Sequence, residues 1–152
     1  MLAENLAIAT GMVVATCAIH AAGIEGLQRM QNSKLGRRWR EGPVHRRGLH
    51  VIFSVFVLMG LHGIEIWAYA ALYLWLGQFH DIETALYFSS TTFTTLGYGD
   101  VLIGAERRMI AGIEGVSGLI LIGWSTAVLV AATTRGAGAN GGADRPDARD
   151  LP

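Results

Sequence analysis

Residues 94–100 read Thr94-Thr95-Leu96-Gly97-Tyr98-Gly99-Asp100. Gly97 and Gly99 alternate with Leu96 and Tyr98, and glycine takes up the positive φ that other residues resist. The carbonyls of such a segment can all point one way, a geometry suited to a cation stripped of its water. A dehydrated cation needs about eight oxygens, while one strand supplies one or two per level, so four copies must converge on an axis. Thr95, Leu96, Gly97, Tyr98 and Gly99 are the candidate cation-binding segment, and the expected assembly is a homotetramer.

A second set of residues with chemistry lies inside apolar runs. His62 and Glu65 share a face of one helix, and at about 1.5 Å per residue Glu65 and Glu114 fall at similar depth. His20 comes to the same level as His62. Ionisable groups within a membrane are costly, so His20, His62, Glu65 and Glu114 are expected to meet as an intramembrane polar cluster. Three roles stay open: a static hydrogen-bonded network, a proton sensor resting on histidine titration, or a metal held by His20, His62 and Glu65.

The elements that must position these groups follow from composition. The chain has 152 residues, one domain by length, and its hydrophobic content of 51% points to a membrane protein. A spanning helix needs about 20 apolar residues; 49–76 and 109–134 are strong candidates and 6–27 a weaker one. The N-terminal run carries Glu4 and no basic residue, so it is expected to be retained as a helix over 1–28 rather than removed as a signal peptide. The only cysteine is Cys17, which excludes an intrachain disulfide.

The 12 basic and 12 acidic residues balance, but their placement does not. Arg29, Lys34, Arg37, Arg38, Arg40, Arg46 and Arg47 concentrate in 29–47, expected to be a cytoplasmic loop by the positive-inside rule. The N-terminus is then outside and the C-terminus cytoplasmic. Arg107 and Arg108 oppose the rule and are expected to snorkel or to pair with Glu106 or another acid. The Gly-, Asp- and Arg-rich tail 136–152 is expected to be disordered. Arg37, Arg38 and Arg40 lie in a polar stretch and make no voltage sensor.

Between the second and third runs, Asp81 suits a helix N-cap with Glu83 in the first turn, which predicts a half-length helix over 82–94. The run Ser89-Ser90-Thr91-Thr92-Phe93-Thr94-Thr95 must be buried in protein, because irregular backbone at membrane depth survives only where it lines a cavity.

The string Thr95-Leu96-Gly97-Tyr98-Gly99-Asp100, standing after a half helix and between two spanning runs, resembles the selectivity filter of the potassium channel pore-domain family, Thr-x-Gly-Tyr-Gly-Asp. The resemblance covers 49–134, and His62-x-x-Glu65-Ile66, Ala85-Leu86-Tyr87-Phe88-Ser89 and Gly123-Trp124-Ser125-Thr126-Ala127 look like short bacterial members with an added N-terminal helix. It implies an all-α membrane protein: three transmembrane helices, a re-entrant pore helix and a filter, assembled fourfold. The pore domain spans 48–135, with an outer helix at 48–76, filter at 95–100 and inner helix at 106–134.

By the same resemblance Tyr87, Thr91, Thr94 and Asp100 support the filter, with Thr91 standing where well-studied members carry a bracing glutamate. Leu119, Ile122, Thr126 and Val130 match cavity-lining positions, and Gly118 and Gly123 match positions of gating or packing. The implied function is passive potassium conduction across a plasma membrane, the inner membrane in a bacterium. No enzyme activity, cofactor or nucleic-acid partner is expected; K+ is the permeant ion, and the expected partners are further copies and membrane lipid. The alternatives are a non-selective cation channel and, from another class, a membrane metal or redox protein using His20, His50, His62, Glu65 and Glu114.

Overall fold

The structure, a computed structural model, describes residues 1–40 and 42–138. Among these it is all helical: α1 (Leu2–Asn32), α2 (Lys34–Arg40), α3 (Val44–Trp75), α4 (Ile82–Phe93), a single 3-10 turn (Ala105–Arg107) and α5 (Arg108–Gly138). Three helical stretches are long and apolar enough to cross a membrane: Leu2–Asn32, Val44–Trp75 and Ala105–Thr134.

The stretch expected to be a basic loop is largely helical. α1 runs on to Asn32, α2 fills most of the interval, and α3 begins at Val44 rather than 48. Lys, Arg and Leu are good helix formers, so only a stop signal interrupts them. Ser33 provides one, its hydroxyl accepting from the Gly36 amide at 3.2 Å. Pro43, the residue before α3, provides the other. At the far end α5 begins at Arg108, after the 3-10 turn, and extends to Gly138, past the expected start of the tail at 136. The remainder of that tail lies outside the described residues.

Each long helix buries one stripe. In α1 it is Asn5, Ala9, Thr16, His20, Ile24 and Leu27, spaced by three, four or seven residues. In α3 the stripe is Ser54, Leu58, Leu61, Glu65, Tyr69 and Tyr73. α1 lies against α3 and α5, and α4 sits in the angle between α3 and α5. The core there is aromatic: Tyr73 meets Phe88 edge-on at 5.3 Å and Phe79 at 6.1 Å between ring centroids.

α4 starts where the sequence predicts. The Asp81 carboxylate accepts from the Thr84 amide at 2.8 Å and the Thr84 hydroxyl at 2.9 Å, capping the first turn. Those donors hold the Asp81 carboxyl below the ordinary range. The first turn of α1 is tied to the start of α5. Arg107 donates to Glu4 at 2.9 Å and to Asn5 Oδ1 at 2.7 Å, and Asn5 donates to the Glu106 carbonyl. The acid paired with Arg107 is thus Glu4 of another helix, not neighbouring Glu106.

Candidate functional site

After Phe93 the chain leaves the helix and runs exposed from Thr94 to Asp100. Thr95, Gly97 and Gly99 have φ of 60°, 52° and 79°, so every second residue is left-handed. Two are glycines, for which this is cheap, but Thr95 is β-branched, and holding it there costs about 1–3 kcal/mol. Backbone bonds to the last turn of α4 hold the segment: Thr95 N–H donates to the Thr92 carbonyl at 3.0 Å and Gly97 N–H to the Thr91 carbonyl at 3.1 Å.

The far end is held by a side chain. Tyr87 donates to Asp100 Oδ2 at 2.7 Å. That bond draws the Asp100 carboxyl below its usual range and pushes the Tyr87 hydroxyl up. The hydroxyls of Thr91 and Thr94 do not reach the segment. Thr91 donates back to the Tyr87 and Phe88 carbonyls at 3.1 and 3.0 Å, and Thr94 to the Ser90 carbonyl at 2.7 Å. Thr91 meets the segment through its carbonyl and not its side chain.

On α5, Leu119, Thr126 and Val130 are exposed along one stripe of the single chain, and Ile122 is half-buried at its edge against the aromatic core. Gly118 and Gly123 differ. A Cβ at Gly118 would overlap the Phe93 carbonyl, whereas one at Gly123 would meet nothing within 4 Å. Gly118 is a packing glycine that lets α5 touch the end of α4.

The expected four-residue cluster is two clusters. His20 Nδ1 lies 2.8 Å from Glu65 Oε1, and His62 Nδ1 lies 2.9 Å from Glu65 Oε2. The imidazoles stack with centroids 5.3 Å apart. Glu114 does not join them. Glu114, on α5, is buried with partners of its own: Tyr73 donates to Oε2 and Ser89 to Oε1, the latter at 2.6 Å. Ser89 also lies 3.0 Å from the Ile66 carbonyl oxygen, one residue beyond Glu65.

Residues 61–135 match the ion channel family. Neither a curated protein nor a solved structure matches the chain.

The matched segment takes in α4, residues 94–100, all of α5 up to residue 135, and the half of α3 that carries His62, Glu65, Tyr69 and Tyr73. α1 lies outside it, so His20 is the contribution of the added helix to a cluster otherwise inside the segment. Three polar partners were missed from the sequence: Tyr73 and Ser89 on Glu114, and Ser125, whose hydroxyl lies 3.4 Å from His20 Nε2. Tyr73 was legible in principle, since Glu65, Tyr69 and Tyr73 follow at four-residue intervals on one face. Ser89 and Ser125 carried no signal beyond being hydroxyls in an apolar setting.

Proposed function

We propose that four copies of this chain assemble around residues 95–99 into a potassium-selective pore that conducts passively, without enzymatic chemistry. The observation that carries this reading is the left-handed φ at Thr95, Gly97 and Gly99, found in a segment matching the ion channel family. In an extended strand consecutive carbonyls point to opposite sides; a left-handed residue at every second position reverses this and aligns them. Four aligned ladders replace the water shell of K+ at successive levels.

The surfaces left open by a single chain support fourfold assembly. Tyr98 and Leu96 are 69% and 59% exposed, beside an open cavity of about 560 Å³ lined by Phe88, Thr92, Thr95 and Val116 among others. Neighbouring copies would fill that space and cover those side chains. The stripe of Leu119, Thr126 and Val130 then faces an inner cavity, where a threonine hydroxyl is inexpensive. The cluster of cations in 29–47 favours the N-terminus outside and the C-terminus in the cytoplasm.

Planar-bilayer recording in mixed K+ and Na+ tests the reading, together with the mass of the purified assembly. Wild type should select K+, and Gly97→Ala should abolish selectivity or conduction. A Cβ at Gly97 meets no neighbour within 4 Å, so the substitution acts through the backbone: alanine at φ 52° costs about 1–2 kcal/mol and turns the ladder out of line. An unchanged permeability ratio in that variant, or a dimer as the conducting form, would overturn the proposal.

A further inference from the structure

The carboxylate of Glu65 is fully buried, and its polar partners are the two imidazoles, themselves 0% and 17% exposed. An unbalanced anion at that depth is expensive, so the site calls for positive charge. We propose that His20, His62 and Glu65 bind a divalent metal ion of the zinc class, which clips α1 to α3 behind the inner end of α4. The inference does not depend on the pore reading.

The donors support it in number, kind and direction. Each imidazole turns Nδ1 toward a different oxygen of one carboxylate, at 2.8 and 2.9 Å, and the three ligand atoms lie within 4.8 Å of one another. Two nitrogens thus face the two oxygens of one carboxylate. Imidazole nitrogen and carboxylate oxygen form a common donor set for Zn2+, with metal–ligand distances of about 2.0–2.2 Å. Two donors each at that distance from one ion stand about 3 Å apart when nearly at right angles, close to the spacing found.

The outer shell fits as well. A histidine that ligates through one nitrogen usually has the other held by a polar group. Ser125 Oγ is 3.4 Å from His20 Nε2 and is itself buried. The Trp124 ring packs 5.2 Å from His20 and the Phe93 ring 5.8 Å from His62, closing the site with aromatic surface. His62 and Glu65 share α3, while His20 comes from α1, so the site exists only when the helices are docked. Metal bound there stabilises the docked state by mass action.

The full-length protein in lipid nanodiscs, stripped with chelator and reloaded with Zn2+ or the spectroscopic substitute Co2+, tests the site. After desalting, wild type should retain about one metal per chain. Co2+ should give visible absorption of a four-coordinate ion. Affinity should fall at least about tenfold in His62→Gln and Glu65→Gln, and should be unchanged in His45→Gln and His80→Gln, exposed histidines elsewhere. Zn2+ should also raise the unfolding temperature of wild type over chelator, a measurement that needs no variant. A blank Co2+ spectrum with metal below about one tenth per chain would overturn the proposal. Equal binding by wild type and His62→Gln would overturn it too, by placing the metal elsewhere.

Discussion

Gly118→Ala isolates what holds the end of α4 against α5. A Cβ built at Gly118 overlaps the Phe93 carbonyl oxygen and stands 2.9 Å from both the Phe93 carbonyl carbon and the ring Cγ. Carbon atoms rest at about 3.5–4.0 Å, so the helices must separate by roughly an ångström, and the obstacle is backbone that no rotamer change can remove. Such overpacking costs about 1–3 kcal/mol. Replacing a helical glycine by alanine returns about 1 kcal/mol of helix propensity, which would partly mask the clash in this variant alone.

Gly123→Ala supplies the correction. It lies in the same helix, and its Cβ meets nothing within 4 Å of the chain, so it gains the propensity without the clash. The difference between the two variants cancels propensity and leaves the overpacking, about 1–3 kcal/mol. For a chain of this size each kcal/mol moves the unfolding temperature by roughly 2–4 °C. Thermal unfolding of both variants in one detergent should therefore place Gly118→Ala several degrees below Gly123→Ala. Equal temperatures, or Gly118→Ala the more stable, would refute the close approach of Phe93 to α5.

Two further outcomes follow from the site geometry. The Asp100 carboxyl, lowered by Tyr87, keeps its stabilising bond above the unfolded carboxylate value of about 3.9 and loses it as pH falls through the lower folded value; raised Tyr87 keeps it below about 10. The bond should therefore be intact from about pH 5 to 9, and Tyr87→Phe should move the Asp100 midpoint upward in an NMR titration, a static midpoint speaking against the bond. Glu114→Gln keeps one acceptor oxygen and puts at the other position an amide donor that a hydroxyl oxygen can accept, so it should preserve the folded assembly, whereas Glu114→Leu strands the Tyr73 hydroxyl at about 1–3 kcal/mol, Ser89 keeping the Ile66 carbonyl, and should lower the unfolding temperature measurably.

What was legible in the sequence was whatever depends on one segment. Long apolar runs announce helices able to span, Asp81 with Glu83 announces the start of α4, and the glycine alternation announces the left-handed positions at Gly97 and Gly99. Thr95 was legible as a member of the segment but not as left-handed, because its strain is imposed by the α4 carbonyls above it. α2 was hidden because seven residues of basic sequence carry no helical period against a loop reading. The separation of Glu114 from His62 and Glu65 was hidden because rise per residue does not say which side chains of neighbouring helices reach one another.

That last failure points to what specifies this packing. Lipid is as apolar as leucine, so the residues that make a helix insert do not tell it which neighbour to choose; small residues and polar contacts do. Here they converge on α4. Gly118 admits Phe93, Gly115 brings its own Cβ position to 3.3 Å from the Thr92 carbonyl, Glu114 reaches Ser89, and His62 packs on the Phe93 ring. The same last turn of α4 offers the Thr91 and Thr92 carbonyls that pin Gly97 and Thr95. A disturbance at any of these contacts moves the carbonyls that impose left-handed φ on Thr95. The polar clusters and the glycines of α5 are therefore linked to residues 95–99 mainly through the seat of one short helix, with Gly115 also beside the Thr95 side chain.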